Sequence, residues 1–126
     1  MDLREYFERT KGTGVLATAD SSGKVDAAIY ARPHFLEDGT MGFIMPDRLT
    51  HHNLQFNPYV AYLFIESQGL HQGKRLFLKK VSEEKNSERL KKMRRSCLCD
   101  EEKESDGKDR YLVIFKLEKE LPLVGS

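Results

Sequence analysis

Apolar positions along the chain switch between two spacings. Leu3, Tyr6 and Phe7 fall at i, i+3 and i+4 among charged neighbours, which predicts a short helix ended by Gly12 and Gly14. From Gly14 to Leu117, β-rich runs alternate with turn residues. Val15-Leu16-Ala17-Thr18 reads as a strand closed by the turn Asp20-Ser21-Ser22-Gly23. Val25, Ala27, Ile29 and Ala31 then alternate with Asp26, Ala28, Tyr30, Arg32 and His34, a period of two that predicts a strand with one buried face. Asp38-Gly39, within Glu37-Asp38-Gly39-Thr40, signals a hairpin turn into the strand Met41 to Met45, which stops at Pro46.

The period changes between Asp47 and Asn57, where Leu54 and Phe56 suggest a two- to three-turn helix ended by Asn57-Pro58. Tyr59 to Ile65 is an unbroken apolar strand, and a glycine-containing loop leads from Ser67 to Gly73. Arg75 to Val81 is a further strand. Ser82 to Asp109 differs in character, with 17 charged residues among 28, 8 basic and 9 acidic. Ser82 suits an N-cap, and Leu90, Met93 and Cys97 form a thin stripe, so this stretch predicts an exposed helix to about Arg95 and an acidic loop from Cys99 to Asp109. Tyr111 to Phe115 is the last strand.

Six strands joined mainly by short turns, with helices between them, predict a mainly β fold: a small antiparallel barrel made by residues 1–126 as one domain. The runs 41–45, 59–65 and 111–115 are apolar on both faces, whereas an antiparallel strand with water outside should alternate. The two internal helices look too small or too charged to cover all of that surface. A second subunit is the economical cover, with helices folded over the strands in a monomer as the alternative.

Composition narrows the function classes. The net charge of +1 offers no electrostatic case for nucleic acid or an anionic membrane, which also disfavours an oligonucleotide-binding barrel. No apolar run approaches a membrane span and no secretory leader is evident, so a cytoplasmic protein is expected. Cys97-Leu98-Cys99 is C-x-C without a second pair, and His51-His52 are adjacent rather than a turn apart, so no metal site is expected.

The segment Pro46 to Leu54 carries a strand into a helix start, where unpaired N–H groups favour a phosphate. Arg48 can add a bidentate contact and Thr50 a hydroxyl, unless Asp47 simply caps the helix. Lys74 and Arg75 could complete the charge if that edge lies nearby. Tyr30, Arg32 and His34 could together hydrogen-bond a planar heterocycle laid across the outside of the barrel, or form a solvated strand face.

Gly14-Val15-Leu16-Ala17-Thr18, Ala28-Ile29-Tyr30-Ala31-Arg32-Pro33, Asp47-Arg48-Leu49-Thr50-His51-His52-Asn53-Leu54 and Asn57-Pro58, in that order and spacing, resemble the pyridoxamine 5′-phosphate oxidase-like FMN-binding split-barrel family. Gly73-Lys74-Arg75-Leu76 and Leu121-Pro122-Leu123-Val124-Gly125 fit its small bacterial members. The resemblance implies a six-stranded split barrel and a homodimer with FMN at the subunit interface; a deazaflavin or haem, used by some relatives, is the lesser expectation. It also implies that the second and third strands lay their backbone against the flavin ring, at Ile29, Tyr30, Ala31 and Arg32 and at Ile44 and Met45. The phosphate would rest on Arg48, Leu49 and Thr50, and Lys74 or Arg75 would offer a polar side chain to the flavin. The chain departs from the pyridoxamine oxidases proper in having no tryptophan and in carrying Leu49-Thr50 where they carry an arginine-lysine pair. The implied activity is an FMN-dependent oxidoreduction of a small substrate positioned by Tyr30, Arg32 and His34, and the alternative is a non-enzymatic flavin carrier or electron-transfer protein.

Overall fold

A computed structural model describes residues 2–96 and 108–125. Helix α1 (Leu3–Arg9) begins where the Asp2 carboxylate accepts from the Glu5 amide at 2.9 Å, an N-cap, and it turns Phe7 into the core at 3% exposure. Seven strands follow in one sheet: β1 (Gly12–Ala19), β2 (Val25–Ile29), β3 (His34–Phe35), β4 (Met41–Pro46), β5 (Tyr59–Glu66), β6 (Gly73–Lys85) and β7 (Arg110–Pro122). Helix α2 (Leu49–Leu54) lies between β4 and β5, and α3 (Glu88–Ser96) follows β6. The expected architecture, a mainly antiparallel split barrel with short helices, is what the chain forms; the seventh strand is the two-residue β3.

The strand order β2-β1-β5-β6-β7-β4-β3 puts β2 and β3, neighbours in sequence, at opposite edges of the sheet. Curling the sheet brings those edges together at the connector 30–33. There the Tyr62 hydroxyl, reaching from β5, lies 3.0 Å from the Ala31 carbonyl and 3.3 Å from that of Tyr30. The ring crosses β1 at Gly14, where a Cβ would collide with the Tyr62 hydroxyl and the Tyr30 carbonyl. Inward side chains Leu16, Phe43, Met45, Tyr62, Phe64, Leu76, Leu78, Val113 and Phe115 fill the barrel.

Three expectations change. The strand expected from Val25 onward stops at Ile29, and its burial phase is reversed. Leu16 pairs with Ala28 and Thr18 with Asp26, so the inward face of β1 fixes Ala28 and Asp26 as inward on β2. Val25 and Ile29, on the apolar face, are 83% and 76% exposed. Ser82 caps no helix: β6 continues to Lys85 and pairs Ser82 with Ile114 and Lys85 with Tyr111, bent by register shifts at Phe77/Leu78 and Lys80/Ser82. The helix starts one turn later, where the Ser87 hydroxyl accepts from the Leu90 amide at 3.1 Å. The Cys97 end of the apolar stripe, and the acidic loop as far as Gly107, lie outside the described residues.

The third change concerns the two-faced strands. Leu90 of the highly charged α3 is 1% exposed and packs with Leu36, Leu112 and Ile114, joined by Ile44 and Met93. This helix therefore covers the outer face of β4 and β7. The outer face of β2, β1, β5 and β6 differs. Its paired rows read Ile29–Val15–Leu63–Arg75 and Ala27–Ala17–Ala61–Phe77, with Tyr59 and Ile65 also exposed on β5.

Candidate functional site

Where β4 gives way to α2, the chain passes through Arg48 in an extended conformation (φ −135°, ψ −165°) with no side-chain cap on the first turn and no acidic residue within it. The first backbone bond of this turn runs from the His52 amide to the Arg48 carbonyl, at 2.9 Å. Thr50 is 5% exposed and lies near Tyr30, which stands on the connector after β2. Burial pushes the Tyr30 phenol above its ordinary pKa; the neighbouring Thr50 hydroxyl and the Arg48 charge oppose this, and Asp26 adds to it. The Arg48 guanidinium has no hydrogen bond or ion pair with the described residues, unlike those of Arg4, Arg32, Arg75 and Arg89.

Tyr30, Arg48 and Thr50 thus meet at one place, at the start of α2 and near Asp26 of β2. This cluster fits an anionic group: a free, exposed bidentate donor stands by an uncapped helix turn. Leu49 is 55% exposed at the same turn. The Ala31 carbonyl faces the Tyr62 hydroxyl, so that backbone group is spent on closing the barrel.

The other expected residues lie elsewhere. Arg32 donates to the Phe7 and Thr10 carbonyls at 2.8 and 2.9 Å, ending α1 rather than joining a polar strand face. His34 sits in β3, half-buried, and burial pushes its imidazole pKa down. Met45 is wholly buried in the barrel, and Ile44 packs under α3, so neither side chain reaches the β2 face. Lys74 pairs with Glu120 at 2.6 Å and lies 4.7 Å above the Tyr6 ring. It stands opposite Phe64, five residues along β5 from the strand's start beside α2, about 17 Å at the rise of a strand. Arg75, on the outer face, donates to the carbonyls of Pro122 (2.8 Å) and Gly125.

Side chains without a sequence signal hold α2 in place. The Asn53 amide donates to the Thr18 hydroxyl at 3.0 Å in a buried setting, and the Asn53 Oδ1 is buried with no partner among the described residues. His51, 6% exposed, stacks on Tyr111 with ring centres 3.7 Å apart and places Nε2 3.1 Å from Glu83. Glu83 is a strand residue some thirty positions away, and only the register of β6 brings it to α2.

No family model and no curated protein sequence matches the chain. Solved structures do. An FMN-binding protein from Syntrophomonas wolfei subsp. wolfei superposes with a TM-score of 0.75 at 19% identity, over 98% of this chain and 84% of that one. HupZ of Group A Streptococcus gives 0.68 at 17% identity, over 98% and 94%. An F420 reductase gives 0.60 at 19% identity, over 96% and 98%. At these identities the likeness is one of fold. The chain accordingly has the split-barrel fold of flavin-binding proteins, the architecture that its sequence motifs resemble.

Proposed function

We propose that the protein binds FMN, with the phosphate received by Arg48 and the first turn of α2 and the ring laid along the exposed β2 face. The observation that carries this reading is the convergence at the start of α2 of Tyr30, Thr50 and an Arg48 unpaired among the described residues. A fold shared with an FMN-binding protein and an F420 reductase supports a flavin-type cofactor. When bound, the flavin supplies electron or hydride transfer, and the chain supplies binding and orientation. Arg48 places a fixed positive charge for the phosphate, and the Tyr30–Thr50 pair holds the turn against β2. The apolar rows on the outer face of β2, β1, β5 and β6 support a homodimer, in which a second copy buries them and closes over the ring.

The activity we assign is an oxidoreductase acting on a small molecule beside the ring. With Arg32 committed to α1 and His34 held in β3, Tyr30 is the one of these three polar residues left at the end of β2 to orient a substrate. The second reading is a carrier that exchanges electrons with a protein partner. Steady-state turnover of the FMN-loaded protein with a reductant and small acceptors marks the enzyme; reduction without turnover marks the carrier. A preparation that neither retains nor takes up flavin overturns both.

A further inference from the structure

Leu76 and Leu78 of β6 point into the barrel, and Lys80 follows them on that face, opposite the buried Phe115. In a regular strand Glu83, three residues on, would point to the other face. The register shift between Lys80 and Ser82 changes this. Their partners Phe115 and Ile114 are consecutive on β7, whereas Val81 intervenes on β6 as the extra residue of a bulge. Glu83 therefore stands opposite the buried Val113 and shares the inward face with Lys80, while Glu84 stands opposite Leu112 under α3. Without Val81 the two carboxylates would exchange faces.

An inward carboxylate needs partners, and α2 together with Lys80 supplies them. Glu83 Oε1 accepts from the Gln55 amide at 3.0 Å and lies 2.7 Å from Lys80 Nζ, and Oε2 lies 3.1 Å from His51 Nε2. Gln55 also donates to the His51 carbonyl at 3.0 Å, and Lys80 reaches the Leu54 carbonyl at 3.4 Å. The Gln55 and Lys80 links hold whichever ring nitrogen of His51 carries a proton. On the far side of the helix the Asn53 amide meets Thr18 of β1.

A helix of six residues has no stability of its own, so its seat is set by such side-chain ties. The geometry points to Glu83 as the positioning residue of α2: brought under the helix by the bulge at Val81, it fixes the helix from the β6 side and so the direction in which Arg48 projects. Gln55 lies seven positions past Arg48, about 10 Å along the axis at the rise of a helix, so a tilt at the Glu83 end displaces Arg48 at the other. Thr18 alone leaves α2 free to roll about one contact. As a statement about cofactor affinity this rests on the flavin reading above; as a statement about the helix it does not.

The test has two arms on the full chain. In the first, FMN dissociation constants are measured for the wild type, Glu83→Ala, Arg48→Ala and the double variant. We expect Glu83→Ala to weaken binding about tenfold when Arg48 is present and less than about twofold when it is absent, because a residue that acts through Arg48 then has nothing to position. No loss beside Arg48, or the same loss in both backgrounds, overturns the proposal. Glu84→Gln, a charge change one residue along on the outer face, should stay within about twofold of the wild type; a loss as large as that of Glu83→Ala marks a disturbed strand and overturns it. The second arm needs no flavin. Amide exchange at His52, whose N–H bonds the Arg48 carbonyl at 2.9 Å, is compared with exchange at Tyr62 in β5. We expect protection at His52 to fall about tenfold in Glu83→Ala and protection at Tyr62 to hold; no fall at His52, or equal falls at both, overturns the proposal. Glu83→Gln, which keeps the side chain's shape, carries both arms with the same criteria should the alanine variant fail to fold. No binding of FMN by the wild type defeats the flavin reading, and the exchange arm then decides the role of Glu83.

Discussion

The hydroxyl of Tyr62 in β5 reaches the carbonyl of Ala31 at 3.0 Å, across 31 residues of chain, and so joins the middle of the sheet to the connector between its two edges. A curled sheet must satisfy the backbone where its edges meet, and here one side chain does it. Replacing Tyr62 by Phe keeps the ring in the core but leaves the carbonyls of Tyr30 and Ala31 without that donor. We expect a loss of about 1–3 kcal/mol in urea unfolding. An unchanged midpoint would mean that the connector is held by other means.

Leu90 anchors α3 with 1% exposure over Leu112 and Ile114. Leu90→Ala should cost about 2–5 kcal/mol. Lys92→Ala, an exposed change on the same helix, should stay within about 0.5 kcal/mol. Equal effects would remove the helix from its role as cover for β4 and β7.

These two sites show what the sequence makes legible. Strands β1, β4, β5 and β7 announce themselves by apolar runs between turn residues, and the turn at Pro46–Thr50 by its chemistry. Helix α3 is harder to place because its buried contact rests on Leu90 and Met93 amid basic residues, so composition reads it as a solvated face. The phase of β2 is hidden for another reason. An edge strand of alternating small and apolar residues takes its orientation from its neighbour, and only the pairing of Leu16 with Ala28 reveals that Ile29 faces out. The link between His51 and Glu83 depends on how far β6 extends, which the charged run from Ser82 conceals.

Arg32 gives a test that separates folding from binding. Its two bonds to the Phe7 and Thr10 carbonyls end α1, so Arg32→Ala should lower stability by about 1–3 kcal/mol while leaving the FMN dissociation constant unchanged. Weaker FMN binding at full stability would return Arg32 to the cofactor or substrate site.

Glu83 makes the fold sensitive to acid. Its carboxyl is held at about 2 against an ordinary value of 4.5, so the stabilisation is fully present above 4.5 and is lost as pH falls from there toward 2. Urea midpoints measured through this window should fall more steeply for the wild type than for Glu83→Gln. Parallel curves would show that the Glu83 cluster contributes nothing to acid stability.

The flavin assignment turns on whether a phosphate is recognised at Arg48. Titrating the flavin-free protein with FMN and, separately, with riboflavin, which has the same ring and no phosphate, measures that directly. We expect saturable FMN binding, at least about tenfold weaker riboflavin binding, and a penalty of about 1–3 kcal/mol for Arg48→Ala toward FMN alone. Equal affinities for the two flavins, or no binding of either, would contradict a phosphate seat at the start of α2.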